Sequence, residues 1–132
     1  MAGSATVSLR EKLLDFFLAD KSRPVVVEII GPTSLRAVSR LAYSGTMKGP
    51  QKYNLDISLD NRPLKQEVLT SEKSISAEFT NHREWSVGES RTTYVDVPAG
   101  KHRVTFALSG SDAPAVATRF TIPGEDVSHD TE

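Results

Sequence analysis

The sequence contains no cysteine. That excludes a disulfide framework and any zinc or iron–sulfur site built on thiolates, while leaving the compartment open. It has no apolar run near the ~20 residues that a membrane-spanning helix requires. A dominant charge sign is also missing: 16 basic residues stand against 17 acidic ones, a formal net charge of −1. Nothing in that balance points to nucleic acid or an anionic membrane. One asymmetry hides within it. The last nine residues, GEDVSHDTE, hold four acids and no Lys or Arg, and without them 13 acids face 16 bases. A surplus of three is too small to argue a phosphate-binding role.

The usual signatures of catalysis and metal binding are absent too. SVGES (86–90) does not have the order G-x-S-x-G of a nucleophile elbow. There is no Walker-type glycine loop and no G-x-G-x-x-G. His82, His102 and His129 lack the short spacings of a zinc site. DISLDNRP lacks the spacing and terminal glutamate of a calcium loop, so Asp60 and Asn61 read as turn formers before Pro63. No cofactor and no metal are expected. The opening MAGSATVS has no basic stretch followed by an apolar one, so it predicts no signal peptide. Residues 1–7 read as a leader, with any export signal lying outside this sequence.

What is present is pattern. With 132 residues the chain fits one domain that can bury a core without staples. SLREKLLDFFLAD, Ser8 to Asp20, opens with Ser8 and Glu11 in capping-box spacing. Leu9, Leu13, Phe16 and Phe17 follow at i, i+4, i+7 and i+8, so an amphipathic helix is predicted over 8–20. A helix that short is marginal alone in water. Its apolar face must pack on this domain's own sheet or dock on a neighbouring domain or second subunit. Leu13, Phe16 and Phe17 are the candidate partner-binding residues.

From Pro24 the period changes to two. YNLDISLD (53–60) alternates without a fault, Tyr53, Leu55, Ile57 and Leu59 falling on one face. Four such side chains at roughly 1.5–3 kcal/mol each outweigh the ~1 kcal/mol span of intrinsic strand preference, so burial decides the fold. Further strands are predicted at 24–30, 34–43, 64–70, 75–80, 91–97, 102–109 and 115–122. In 34–43, Leu35, Ala37, Leu41 and Tyr43 share one face, with Arg36 and Arg40 on the other. All seven prolines fall at strand edges or turns in this reading. Eight strands about ten residues apart predict a single antiparallel β-sandwich over 24–123, immunoglobulin-like or jelly-roll. A disordered acidic tail is expected over 124–132.

YVDVPAGKHRVTFAL (94–108) predicts a hairpin turning at Pro98–Lys101. Placing Val95 and Val97 on the face of Val104, Phe106 and Leu108 sets Val95 opposite Val104 and Asp96 opposite Arg103. The competing register sets Asp96 against His102, a dyad with no nucleophile to serve. Trp85, the only tryptophan, lies in a polar loop. It either folds back to cap the sandwich or stacks on a sugar ring, with Tyr43, Tyr53 or Tyr94 as companions.

VDVPAGKHRVTFAL (95–108) and VEIIGPTSLRAVSRL (27–41) resemble segments of bacterial immunoglobulin-like or jelly-roll accessory modules of cell-envelope proteins. The resemblance implies a β-sandwich and a periplasmic or envelope location. It carries no site residues. The expectation is a non-catalytic module that binds a protein partner or positions neighbouring domains, with no nucleic acid and no membrane insertion. The alternative is carbohydrate binding, and a weaker one is a hydrolase with an unrecognised site.

Overall fold

The computed structural model describes residues 3–9, 12–123 and 125–127. Regular structure among them is entirely β: β1 (Gly3–Leu9), β2 (Lys12–Ala19), β3 (Val25–Tyr43), β4 (Gln51–Leu59), β5 (Arg62–Ser71), β6 (Ala77–Phe79), β7 (Ser86–Val87), β8 (Arg91–Ser109), β9 (Val116–Ile122) and β10 (Glu125–Val127). The alternation of YNLDISLD acts as read. Tyr53, Leu55 and Ile57 are buried along β4, with half-buried Asn54, Asp56 and Ser58 between them. Asp60 and Asn61 then reverse the chain with φ of 51° and 67°, placing Leu59 opposite Arg62. Positive φ at both central residues is what a two-residue I′ turn demands, and Asp and Asn tolerate it.

Two strands are longer than expected. β3 joins the segments predicted at 24–30 and 34–43, and β8 joins 91–97 to 102–109. They pair with each other, not each with itself. Val27 lies opposite Val104, Leu35 opposite Val95, Ser34 opposite Asp96 and Glu28 opposite Arg103. The hairpin at Pro98–Lys101 is therefore absent, and with it the Asp96–Arg103 pairing. In its place is a bulge. Between the pairs Gly31–Gly100 and Thr33–Val97, Pro98 and Ala99 of β8 stand against Pro32 alone. The extra residue switches the parity of β8, so odd-numbered Val95 and Val97 and even-numbered Val104, Phe106 and Leu108 all enter one core. The Gly31–Pro32 peptide is cis. Gly31 is required by closeness: a Cβ there would run into the carbonyl oxygens of Val97 and Pro98.

The hydrogen-bonded order is β5-β4-β8-β3-β9-β2-β1-β6, with β10 on β9 and β7 on β3. Because β3 and β8 pass through the bulge, each serves both layers of the sandwich. The first layer is β5, β4, the C-terminal half of β8 and the N-terminal half of β3. The second is the other halves of these two strands with β9, β2, β1 and β6. Phe106 meets Phe120 across the interior with ring centroids 4.8 Å apart. The buried hydroxyls of Tyr53 and Ser39 hydrogen-bond at 2.8 Å, again between layers.

The predicted N-terminal helix does not form. β1 and β2 make a hairpin, from Gly3 opposite Leu18 to Leu9 opposite Lys12. The supposed leader thus supplies a sheet strand. Glu11, the partner proposed for Ser8 in the capping box, lies outside the described residues, and Ser8 faces Leu13 in the ladder. KLLDFFLA satisfies both periods because this hairpin is covered on both sides. Phe16 and Leu18 enter a second apolar cluster on the outer face of the second layer, while Phe17 and Ala19 pack into the main core. β2 gains ladders to β1 and β9 together with apolar cover, whereas a lone three-turn helix is marginal in water. In the expected acidic tail, Glu125–Val127 pairs with β9; residues 124 and 128–132 lie outside the described residues.

Hairpin and helix make opposite demands on Leu13 and Phe16. Phe16→Ala is expected to cost about 3–5 kcal/mol, as for a buried ring, whereas Leu13→Ala, at a side chain 66% exposed, should stay within about 0.5 kcal/mol. Urea unfolding of the two variants measures both. Equal losses would contradict the hairpin.

Candidate functional site

The outer face of the second layer is only partly open. Even-numbered residues of β3 point to it, Arg36 and Arg40 among them as the sequence pattern predicts, and the segment 72–90 lies across one end. β7 pairs with β3, Ala42 opposite Val87 and Tyr43 opposite Ser86, and the Gly88 amide donates to the Leu41 carbonyl oxygen at 2.8 Å. Gly88 allows this approach because a Cβ would strike Ser71 and Leu41. Beneath it Arg40 is only 8% exposed. Its Nη1 donates to the Gly88 carbonyl at 3.2 Å, and its Nε is buried with no acceptor among the described residues. Burial lowers the guanidinium's pKa and nearby Glu89 acts against that; an arginine stays charged regardless.

The loop that follows β6 is pinned to β1. The Thr80 amide donates to the Thr6 carbonyl, Asn81 Oδ1 accepts from the Thr6 amide, and His82 Nε2 donates to the Ser4 carbonyl at 3.0 Å. This anchoring sets the aromatic group. His82 and Trp85 stack 4.7 Å apart at 8°, and Phe79 meets Trp85 nearly edge-on at 6.1 Å and 74°. Trp85 is half-buried against the second apolar cluster. It borders a hollow of about 380 Å³ shared with Phe79, Arg83, Ser86 and Ile75. A neighbouring hollow of about 430 Å³ is bordered by Arg40, Glu72, Lys73, Glu89 and Ser90. Ser74 and Ile75 border both.

The other residues singled out from sequence are scattered. Tyr43 and Tyr53 are buried in the main core, the Tyr43 hydroxyl donating to the Ser71 carbonyl at 2.8 Å, so neither ring can stack on a ligand. Burial, above all, pushes the Tyr53 phenol's pKa up. Tyr94 is 58% exposed, opposite Arg36 in a shallow depression that shares no residue with the Trp85 hollow. Phe16 is buried and Phe17 packs against the core, so of the three only Leu13 is exposed and they do not share one open apolar face. The Arg40 hollow went unnoticed in the sequence. Its one signal was an arginine on the outward face of a strand otherwise rich in apolar residues.

His102 is spoken for. Its Nδ1 lies 2.5 Å from Asp60 Oδ2 and its Nε2 2.9 Å from the Ala99 carbonyl oxygen. Both partners are acceptors and favour the charged ring, so the His102 pKa is raised above its ordinary value, by Asp60 first and then by the Ala99 carbonyl. The acid beside it is Asp60, whose other oxygen accepts from the Arg103 amide; Asp96 is on the far side of the bulge. His102 thus has both ring nitrogens engaged in structural contacts. It fastens the β4–β5 turn to β8.

No protein-family model matches the sequence, and no curated protein matches it. Solved structures do. A family 35 carbohydrate binding module from an environmental isolate superposes with a TM-score of 0.50 at 12% identity, over 87% of this chain and 77% of that one. A family 35 module from Clostridium thermocellum gives 0.48 at 19% identity, over 92% and 89%. One from Paenibacillus barcinonensis gives 0.44 at 16%, over 93% and 94%. The first likeness shows the fold: a jelly-roll β-sandwich.

The His102 clamp has a defined pH window. Asp60, first among its causes, holds the His102 pKa above 6.5, so its contribution is complete below about 6.5 and is lost as pH rises through the raised value. The Arg103 amide and then His102 hold Asp60 below 3.8, so its share is complete above about 3.8 and is lost on acidification through the lowered value. The stability difference between the native protein and His102→Gln should therefore be largest between about pH 4 and 6.5 and shrink on either side. Denaturation curves at a series of pH values test this, and a difference that grows above neutrality would refute the clamp.

Proposed function

We propose that the chain is a non-catalytic carbohydrate-binding module whose Trp85 hollow takes the C–H face of a sugar ring. The observation that carries this reading is the setting of Trp85. Its indole is held by His82 and Phe79 at the wall of an open hollow whose other sides include Arg83, Ser74 and Ser86. An apolar ring with convergent polar groups is the usual make-up of a small-ligand site. Holding the ring in advance reduces the ordering cost of binding. The fold agrees, since a structure of this fold bears the name carbohydrate binding module. A glycan ligand also suits work at the cell envelope, the location that the sequence resemblance implies.

The protein-partner reading rested on an apolar helix face, and the residues meant to form it now lie in a hairpin with Phe16 buried.

A panel of neutral glycans, titrated against the protein by calorimetry and tryptophan fluorescence, tests the proposal. At least one should bind with a change in Trp85 emission. Trp85→Ala should weaken that ligand about tenfold or more, the scale of a lost aromatic anchor. Trp85→Phe should fall between, and Tyr94→Ala should leave affinity unchanged. A native protein that binds no glycan, or a Trp85→Ala variant that binds as well as the native one, would overturn it.

A further inference from the structure

We infer that the Arg40 hollow is a second sugar subsite, so that the ligand is a neutral oligosaccharide of two or more units. The inference rests on the carbohydrate reading above and extends it from one ring to the next.

The first support is Arg40 itself. A guanidinium carries five donors; among the described residues the one Arg40 hydrogen bond runs from Nη1 to the Gly88 carbonyl, and Nε lies buried without an acceptor. Buried donors are ordinarily paired, so an unspent guanidinium beside a hollow marks a place where an added acceptor is favourable. The second support is charge. Arg40 and Lys73 face Glu72 and Glu89 around the same hollow. Two cations against two anions offer no net attraction to an anionic ligand. They suit hydroxyl groups, each of which accepts from a guanidinium and donates to a carboxylate. Neither carboxylate accepts a side-chain hydrogen bond among the described residues, and Lys73 Nζ already sits 5.7 Å from the Tyr43 ring centroid. The third support is adjacency. Ser74 and Ile75 border both hollows, and Ile75 stands fully exposed between them. A chain whose first ring lies on Trp85 would run past Ser74 and Ile75 toward Arg40 and Glu89.

Calorimetry with neutral gluco-, galacto-, xylo- and manno-oligosaccharides of one to four units, beside matched oligouronates, decides the matter. The expected result is a gain of about tenfold from one unit to two in the native protein. Glu89→Gln, at an exposed side chain, should erase most of that gain while leaving single-unit affinity within about twofold, with a melting curve checking that the variant is folded. Arg40→Lys should do the same if it folds, and Glu89→Gln carries the test if it does not. Trp85→Ala should weaken ligands of every length. Equal affinity for one and two units, a gain that survives Glu89→Gln, or preference for oligouronates would overturn this inference alone. Failure of the native protein to bind any sugar would overturn the carbohydrate reading as well.

Discussion

The extra residue in β8 governs how the rest of the chain is arranged. Opposite Pro32, the pair Pro98 and Ala99 forces a two-against-one mismatch into a ladder that otherwise runs from Val25–Phe106 to Ser39–Arg91. A strictly alternating strand of that length would show one set of side chains to the core throughout. Crossing from one layer of a sandwich to the other requires the bend and the reset of parity that a bulge supplies. With it, Val95, Val97, Val104, Phe106 and Leu108 all face the same interior. Gly31 makes the arrangement possible, since a side chain there would occupy the space of the β8 backbone. The order of the remaining strands follows: β4 and β5 extend one layer from the C-terminal half of β8, and β9, β2 and β1 extend the other from the C-terminal half of β3.

Much of this was legible in the sequence because burial writes itself as period two. Every predicted strand exists in some form, β4 almost residue for residue, and Asp60–Asn61 turn as their residue types suggest. The failures share a cause. Pro98-Ala99-Gly100 shifts parity whether it makes a hairpin or a bulge, and local sequence does not say which strand lies opposite. The long partner β3 decided it. Pro32 and Pro98 were read as turn residues and instead sit where a missing amide is equally harmless, at the irregularity in the ladder. KLLDFFLA failed for a related reason. A strand covered on both faces shows no clean alternation, and its run of apolar residues fits a helical stripe as well as a strand.

The candidate site was half legible. Trp85 stood out as a lone large aromatic in a polar loop, and the structure puts it at the wall of a hollow. Its supposed companions did not survive, because Tyr43 and Tyr53 occupy inward positions of the very strands that the alternation identified. Their hydroxyls reach Ser71 and Ser39, and this is what makes two tyrosines tolerable in a hydrocarbon core. His82, dismissed as a metal ligand, turns out to be the plate on which Trp85 rests. Arg40 gave only a weak signal. An arginine on the outward face of a strand reads as solvated until another segment is seen lying over it.

That covering segment links fold to function. The interior between the layers is closed and apolar, and it offers a ligand nothing. The outer face of the second layer is different, because residues 72–90 cover only one end of it. They bring Ala77, Phe79 and Val87 down onto the second apolar cluster and so bury Arg40 beneath Gly88. The rim of this cover is where aromatic surface, unspent donors and carboxylates come together without having been consumed by folding. A cover one strand wider would have sealed Arg40 at the cost of a buried unpaired charge, and a narrower one would have left it hydrated. The segment stops between these limits, which leaves the Arg40 guanidinium largely buried yet bordering an open hollow, with one hydrogen bond to the Gly88 carbonyl among the described residues.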